Sequence, residues 1–255
     1  MQQLKLFIAA VAIAFAVNAS AQENKLFNHL SIGYTLGTDG LIGFDVASPI
    51  GNYVAVRAGY TFMPKFKADV DVNYKVNGTP YKANIEGKLN MGNFKLLFDV
   101  YPFKEKSFHF TAGAYMGTSK LIKADSKKPL EGVAPGAQVQ IGNKAENMFG
   151  TDAEGHVHGR TSVNSFKPYI GLGFGRAIPK KNRVSVSCDF GVKFWGKPGL
   201  GVSTVKDDWG GYYYHKFQYD ELGPNDNKDV KDAVEIVDKI KVYPVLNIRV
   251  CGRIF

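Results

Sequence analysis

Apolar and small or polar residues alternate one for one in about eight stretches of this chain, the period of a β-strand with two unlike faces. In HLSIGYTLG (29–37), Leu30, Ile32, Tyr34 and Leu36 oppose His29, Ser31, Gly33 and Thr35. In LIGFDVAS (41–48), Ile42, Phe44 and Val46 oppose Gly43, Asp45 and Ala47. In YVAVRAGYTF (53–62), Val54, Val56, Ala58, Tyr60 and Phe62 oppose Ala55, Arg57, Gly59 and Thr61. NFKLLFDVYPF (93–103) sets Phe94, Leu96, Phe98 and Val100 against Lys95, Leu97 and Asp99, and FHFTAGAYMG (108–117) sets Phe108, Phe110, Ala112, Ala114 and Met116 against His109, Thr111, Gly113 and Tyr115. KPYIGLGFG (167–175) places Ile170, Leu172 and Phe174 opposite three glycines. RVSVSCDFGVKFW (183–195) has Val184, Val186, Cys188, Phe190, Val192 and Phe194 opposite Ser185, Ser187, Asp189, Gly191 and Lys193. In YPVLNIRVCGRIF (243–255), Leu246, Ile248, Val250, Gly252 and Ile254 oppose Asn247, Arg249, Cys251, Arg253 and Phe255.

The connections alternate in length. Those near 49–52, 103–107 and 178–182 are short, while those near 37–41, 63–92, 118–166 and 196–238 are mostly long. Strands of ~9–11 residues, with short turns at one rim and long loops at the other, have the proportions of a transmembrane barrel. The faces agree with this. An eight-stranded barrel has an interior barely wide enough for side chains, and here the bulky Phe, Leu, Ile and Tyr lie on one face and Gly, Ala, Ser, Thr and charges on the other. Bulky residues outside and small or polar ones inside is the expected arrangement. The fold class expected is all-β: a closed antiparallel transmembrane β-barrel of about eight strands, with long extracellular loops and one short helix before the last strand.

That helix falls in NDNKDVKDAVEIVDKIK (225–241), centred on 227–238. Asp226 or Asn227 would cap it, and Val230, Ala233, Val234 and Val237 would share a face across the barrel mouth. KADVDVNYKVNGTPYKANIEGKLN (67–90) is expected to continue as strands above the membrane and turn at Asn77-Gly78. The stretch 118–166 is polar and Gly-rich with no clear regular structure. WGGYYYHKF (209–217) places aromatics at the headgroup zone, or before a partner.

The first 21 residues stand apart: one charge at Lys5, an apolar run from Leu6 to Val17, then NASAQ. This is the layout of a secretory signal peptide cut after Ala21; the apolar run falls short of the ~20 residues that a membrane-spanning helix needs. The domains expected are a signal peptide at 1–21 and a barrel at 22–255. Removing the leader takes the formal charge from +9 to +8. The basic residues are scattered, and export separates the chain from nucleic acid, so an anionic membrane surface is the better electrostatic match.

The motifs NFKLLFDVYPF, FHFTAGAYMG, PYIGLGFGRAIP, DFGVKFWGKP and KIKVYPVLNIRVCGRIF together resemble the small eight-stranded outer-membrane β-barrels of Gram-negative bacteria, the broad OmpA/OmpW-like class of porin-family barrels. The resemblance covers nearly the whole chain after the leader, as patterns rather than catalytic motifs. It implies a location in the outer membrane, contact with membrane lipid and lipopolysaccharide, passage through the barrel-assembly machinery, a monomer, and no cofactor. It also implies that Phe255 is the assembly signal, although Phe255 falls on the register of Arg249 and Arg253. Either a bulge shifts the last residues or the signal is imperfect.

Among candidate functional residues the inward charges come first. Asp45, Arg57, Asp99, Asp189 and Arg249 all lie a few residues up their strands from the short-turn rim, and Lys95 and His109 are close enough to join them. Buried charges must pair, so these residues form either a lumen network that plugs the barrel or the selectivity ring of a narrow channel for small or apolar solutes; the width favours a plug. Cys188 and Cys251 lie on neighbouring strands but on opposite faces, so both are expected to be free thiols. His156 and His158 in GHVHG supply two imidazoles with no assured third ligand, which falls short of a metal site. GLGFGR (171–176) lacks the spacing of a phosphate loop. No Ser, His and carboxylate share a spacing that marks a hydrolase, so the expectation is a non-enzymatic barrel that supports the envelope and presents long loops for surface contact. A soluble exported β-barrel binder is the remaining alternative.

Overall fold

The computed structural model describes residues 29–76, 79–140, 148–180, 182–203, 215–217, 235, 239 and 241–254. Eight strands close into one antiparallel barrel: β1 (Ser31–Gly37), β2 (Ile42–Ile50), β3 (Val54–Phe62), β6 (Gly92–Val100), β7 (Phe108–Gly117), β12 (Phe166–Phe174), β13 (Val184–Phe194) and β16 (Val242–Arg253). Each pairs with its neighbours in chain order, and β16 returns to β1 with Arg249 opposite Thr35. Closure leaves none of these strands with an unpaired edge.

The alternation read from sequence is the alternation of burial. Ile32, Phe94, Phe110, Ile170, Val186 and Ile248 face outward and are half-exposed or more, while Ser31, Thr35, Asp45, Arg57, Asp99 and Arg249 face inward and are buried. Phe98 has the outward register yet is nearly covered, because Ile50 and Val54 pack over it.

Above the long-loop rim the wall continues into a second sheet of six strands, in the order β15 (His215–Phe217), β14 (Gly199–Ser203), β11 (His158–Ser162), β8 (Lys120–Ser126), β5 (Thr79–Leu89), β4 (Phe66–Val76). A separate small pair is formed by β9 (Gln138–Gln140) and β10 (Met148–Gly150). The barrel strands β3, β6, β7, β12 and β13 each lead into the upper sheet after a break of a few residues. Hydrogen bonds bridge the breaks, as in Met63 N to Met91 O (2.7 Å), Val163 N to Ser119 O (2.7 Å) and Asn164 N to Trp195 O (2.9 Å). Met91, Leu121, Val163 and Trp195 form an apolar cluster at this junction.

The β4–β5 hairpin lies where 67–90 was expected to form one. By contrast, the stretch 118–166 contains β8 to β11, so its reading as irregular is corrected. The reason is physical: apart from Leu121, buried at the junction, β8 and β11 show no sustained alternation of apolar and polar residues, and they are strands because β5 and β14 supply their hydrogen bonds. The β1–β2 connection, residues 38–41, is as short as a turn at the opposite rim. Of the expected helix only Glu235, Lys239 and Lys241 are described, the first two in helical conformation. The leader with Ala21, the expected turn at Asn77-Gly78, residues 209–214 of the aromatic stretch, and Phe255 lie outside the described residues.

Candidate functional site: the lumen and its two mouths

The lumen is filled in layers. Its floor is a turn. After β12, Gly175 takes φ +116, and a Cβ there would lie 2.4 Å from Ser187 Cα; a side chain at that position would be strained and would clash. The backbone therefore bends inward, and Ala177 enters the base of the barrel to pack on Ala47, Ala55 and Tyr101. The Ala177 amide donates to Tyr101 Oη (2.9 Å), and its carbonyl accepts from Ser31 Oγ (2.7 Å) and Arg249 Nη1 (3.0 Å). The sequence motif GLGFGR is thus a strand end and the start of this floor.

Above the floor lie the five predicted charges, brought together in two clusters. In one, Arg57 bonds Asp99 through Nη2 and Asp189 through Nη1, both at 2.7 Å. Thr111 Oγ1 donates to Asp99 (2.8 Å), and His109 Nε2 lies 2.9 Å from Asp189 Oδ1. In the other, Arg249 bonds Asp45 while Lys95 Nζ approaches the same carboxylate at 3.2 Å. Three carboxylates face Arg57, Arg249 and Lys95, with the His109 imidazole beside Asp189. Each acid is held by an arginine, the geometry that best offsets the cost of burying charge.

The next layer is apolar and aromatic: Leu97, Tyr115, Tyr169 and Val245, with the two tyrosine rings edge to face at 5.5 Å. Above it, Lys193 Nζ sits over the rings of Tyr115 (4.7 Å) and Tyr243 (5.2 Å) and donates to Asp39 O (3.3 Å). Lys167 Nζ donates to Asn93 Oδ1 and Thr118 O, both at 2.9 Å. The parity of β12 and β13 placed Lys167 and Lys193 inward, so both were findable. Asp39 was not, because it lies in the β1–β2 turn where alternation says nothing.

Cys188 and Cys251 are both free. Cys251 is buried inside β16, whereas Cys188 lies outward on β13, and the register sets Cys251 beside Ser185 and Cys188 beside Ile248.

The GHVHG histidines belong to the upper sheet. His158 is clasped between Asp125 (Nδ1 to Oδ1, 2.9 Å) and Asp152 (Nε2 to Oδ2, 3.1 Å). His156 Nδ1 lies 3.0 Å from Ser126 O and 3.4 Å from Ser126 Oγ. Donation from Nδ1 to the carbonyl keeps that nitrogen from acting as a base toward the hydroxyl, and both carboxylates bind the other histidine. Among the described residues, no group of three or more His, Cys, Asp and Glu is arranged to hold a metal ion. Elsewhere on this sheet, Lys88 bonds Glu86 (2.6 Å) and holds its carboxyl below the ordinary range.

No protein family's sequence profile matches the chain, and no curated protein does. Among solved structures, CarO2 of Acinetobacter baumannii is similar at 20% identity and a TM-score of 0.48, over 90% of this chain and 100% of that one. CarO of the same organism is similar at 20% identity and a TM-score of 0.47, over 90% and 99%. A major outer membrane protein from Thermus thermophilus is similar at 14% identity and a TM-score of 0.39, over 88% and 98%.

Proposed function

We propose that this chain is a non-enzymatic integral barrel of the outer membrane, exported by residues 1–21, with a lumen plugged by its own charges and an upper sheet that serves surface contact. The observation that carries the reading is the inversion of the fold: Phe94 on the outside is 64% exposed while Arg249 on the inside is fully buried. Water gives no reason to turn phenylalanine outward and arginine inward, but a hydrocarbon surround does. Strands of this length fit the ~25 Å apolar band of such barrels. Lipid and lipopolysaccharide would surround the wall, and the assembly machinery would read the end of the chain at Phe255.

The lumen supports a plug because charge clusters, a tyrosine layer and the Ala177 floor follow one another along the axis. One observation favours the second reading, a narrow channel for small or apolar solutes. Asp99 Oδ2, Ser187 Oγ and Asn247 Oδ1 are buried without a hydrogen-bond partner, and such groups call for water. Single-channel recording in a planar bilayer separates the two. The plug reading expects background conductance from correctly folded protein, and discrete openings would replace it with the channel.

A further inference from the structure

We propose that the cavity beneath the floor, at the short-turn rim, is a binding site for a phosphate group. The cavity measures ≈ 270 Å³ and is lined by His29, Asn52, Tyr101, Arg176, Lys180 and Arg253 together with apolar and glycine residues. Its basic side chains come from three places: the residue stretch before β1, the β12–β13 turn and the end of β16. Among the described residues, no carboxylate lines it.

The cations are fixed in place by neutral groups. Arg176 Nη2 donates to the carbonyls of Lys104 and Lys106, and its guanidinium lies 4.7 Å over the Tyr101 ring. Lys180 Nζ donates to Lys104 O (2.6 Å), and Arg253 Nη1 donates to Lys180 O (3.1 Å) and Pro179 O (3.4 Å). Main-chain carbonyls orient these groups without cancelling their charge. Among the described residues, the acid within reach of Lys180 is Glu105, 3.9 Å away with a side chain 78% exposed, where water screens it. Partial burial, with Arg176 beside it, holds the Lys180 amine below the ordinary lysine range against the opposing pull of Glu105. Two guanidinium groups suit the paired oxygens of a phosphate, an ammonium adds a third contact, and the space holds a phosphate with a small substituent.

Two sources carry this chemistry: a soluble phosphate ester, or the headgroup of a lipid at the same rim. The binding site rests on the cavity alone; only the side of the membrane it faces rests on the function proposed above.

The test is calorimetric titration of inorganic phosphate and of glycerol phosphate into the folded full-length protein in a phosphate-free maltoside detergent. Arg176 ties the floor turn to the β6–β7 turn by two carbonyls and the Tyr101 ring, Lys180 by one carbonyl, so the variants are Lys180→Ala and Arg253→Gln, with Lys128→Ala in the upper region as control and gel mobility as the check on folding. Saturable binding that weakens about tenfold or more in each of the first two variants, is unchanged in the control, and falls as salt rises is the expected result. Absence of saturable binding, or binding indifferent to both variants, overturns the site even where gel mobility shows an intact barrel. Repeating the titration in phospholipid nanodiscs assigns the source: persistence of binding marks a soluble ester, and its loss marks a headgroup already seated.

Discussion

Arg249 and Asp45 are 204 residues apart in sequence and meet inside the barrel, with Arg249 Nη2 at 2.6 Å and Nε at 2.9 Å from Asp45 Oδ1. They belong to β16 and β2, which flank β1 on either side, so the bridge passes over β1. It passes at Gly33, where a Cβ would lie 2.3 Å from Arg249 Nε. The last strand is thereby fastened to the second across the seam where the barrel closes. Arg249→Ala should cost about 3 kcal/mol or more, because Asp45 stays buried with Lys95 as its one close cation and only the Thr35 hydroxyl beside that. Gly33→Ala should destabilise in the same direction by displacing the guanidinium. Denaturant unfolding of the single and double variants checks this, and strictly additive costs would show that the two residues are not coupled.

Arg57 joins two carboxylates, Asp99 and Asp189. Arg57→Ala should therefore lower stability by about 3–5 kcal/mol, the cost of leaving buried acids without their partner. Conductance of the variant should stay at background, because Leu97, Tyr115, Tyr169 and the Ala177 floor still block the axis. Unfolding midpoints and bilayer recordings on one preparation measure both.

Ile248 stands in the middle of β16 on the outer face. Ile248→Arg should destabilise the barrel in lipid by about 2–4 kcal/mol, the cost of a cation near the bilayer midplane. The same exchange at a residue of the exposed upper sheet, such as Val70, should cost far less. Equal costs at the two positions would argue against an apolar surround for the barrel.

The thiols give a cheaper check. Intact mass should be the same before and after reduction, since Cys188 and Cys251 lie on opposite faces of adjoining strands. A gain of two protons would require a different register between β13 and β16.

The upper sheet is paired separately from the barrel, so removing residues 68–87 in favour of a short turn should leave the barrel's heat-dependent gel mobility intact. The cost should fall on β8, which loses β5 as its partner, and on the segment after it, where Lys127 loses Asn84 and Asp69 and Glu131 loses Tyr74.

How much of this was legible in the sequence follows from what alternation encodes. Where a strand separates two unlike environments, as at Ile248 and Arg249, each residue reports its side, so all eight barrel strands and the inward charges could be read. Where the two faces of a strand differ little in exposure, as in β11 and most of β8, no contrast is written, and pairing decides. The floor was hidden for another reason. Ala177 looks like any turn residue, and only the inward bend at Gly175 makes it a plug. Asp39 and the cavity beside Lys180 are likewise products of turns, whose positions depend on distant strands.

The most direct test of the central claim is the gel mobility of protein purified from the outer-membrane fraction, unboiled against boiled. A closed barrel with its apolar face in lipid resists the gel detergent, so the unboiled protein should run faster and the boiled protein at its full mass. Recovery in the soluble fraction with identical mobility in both lanes would contradict the account, and the outward-facing Phe94 and Ile248 would need another explanation.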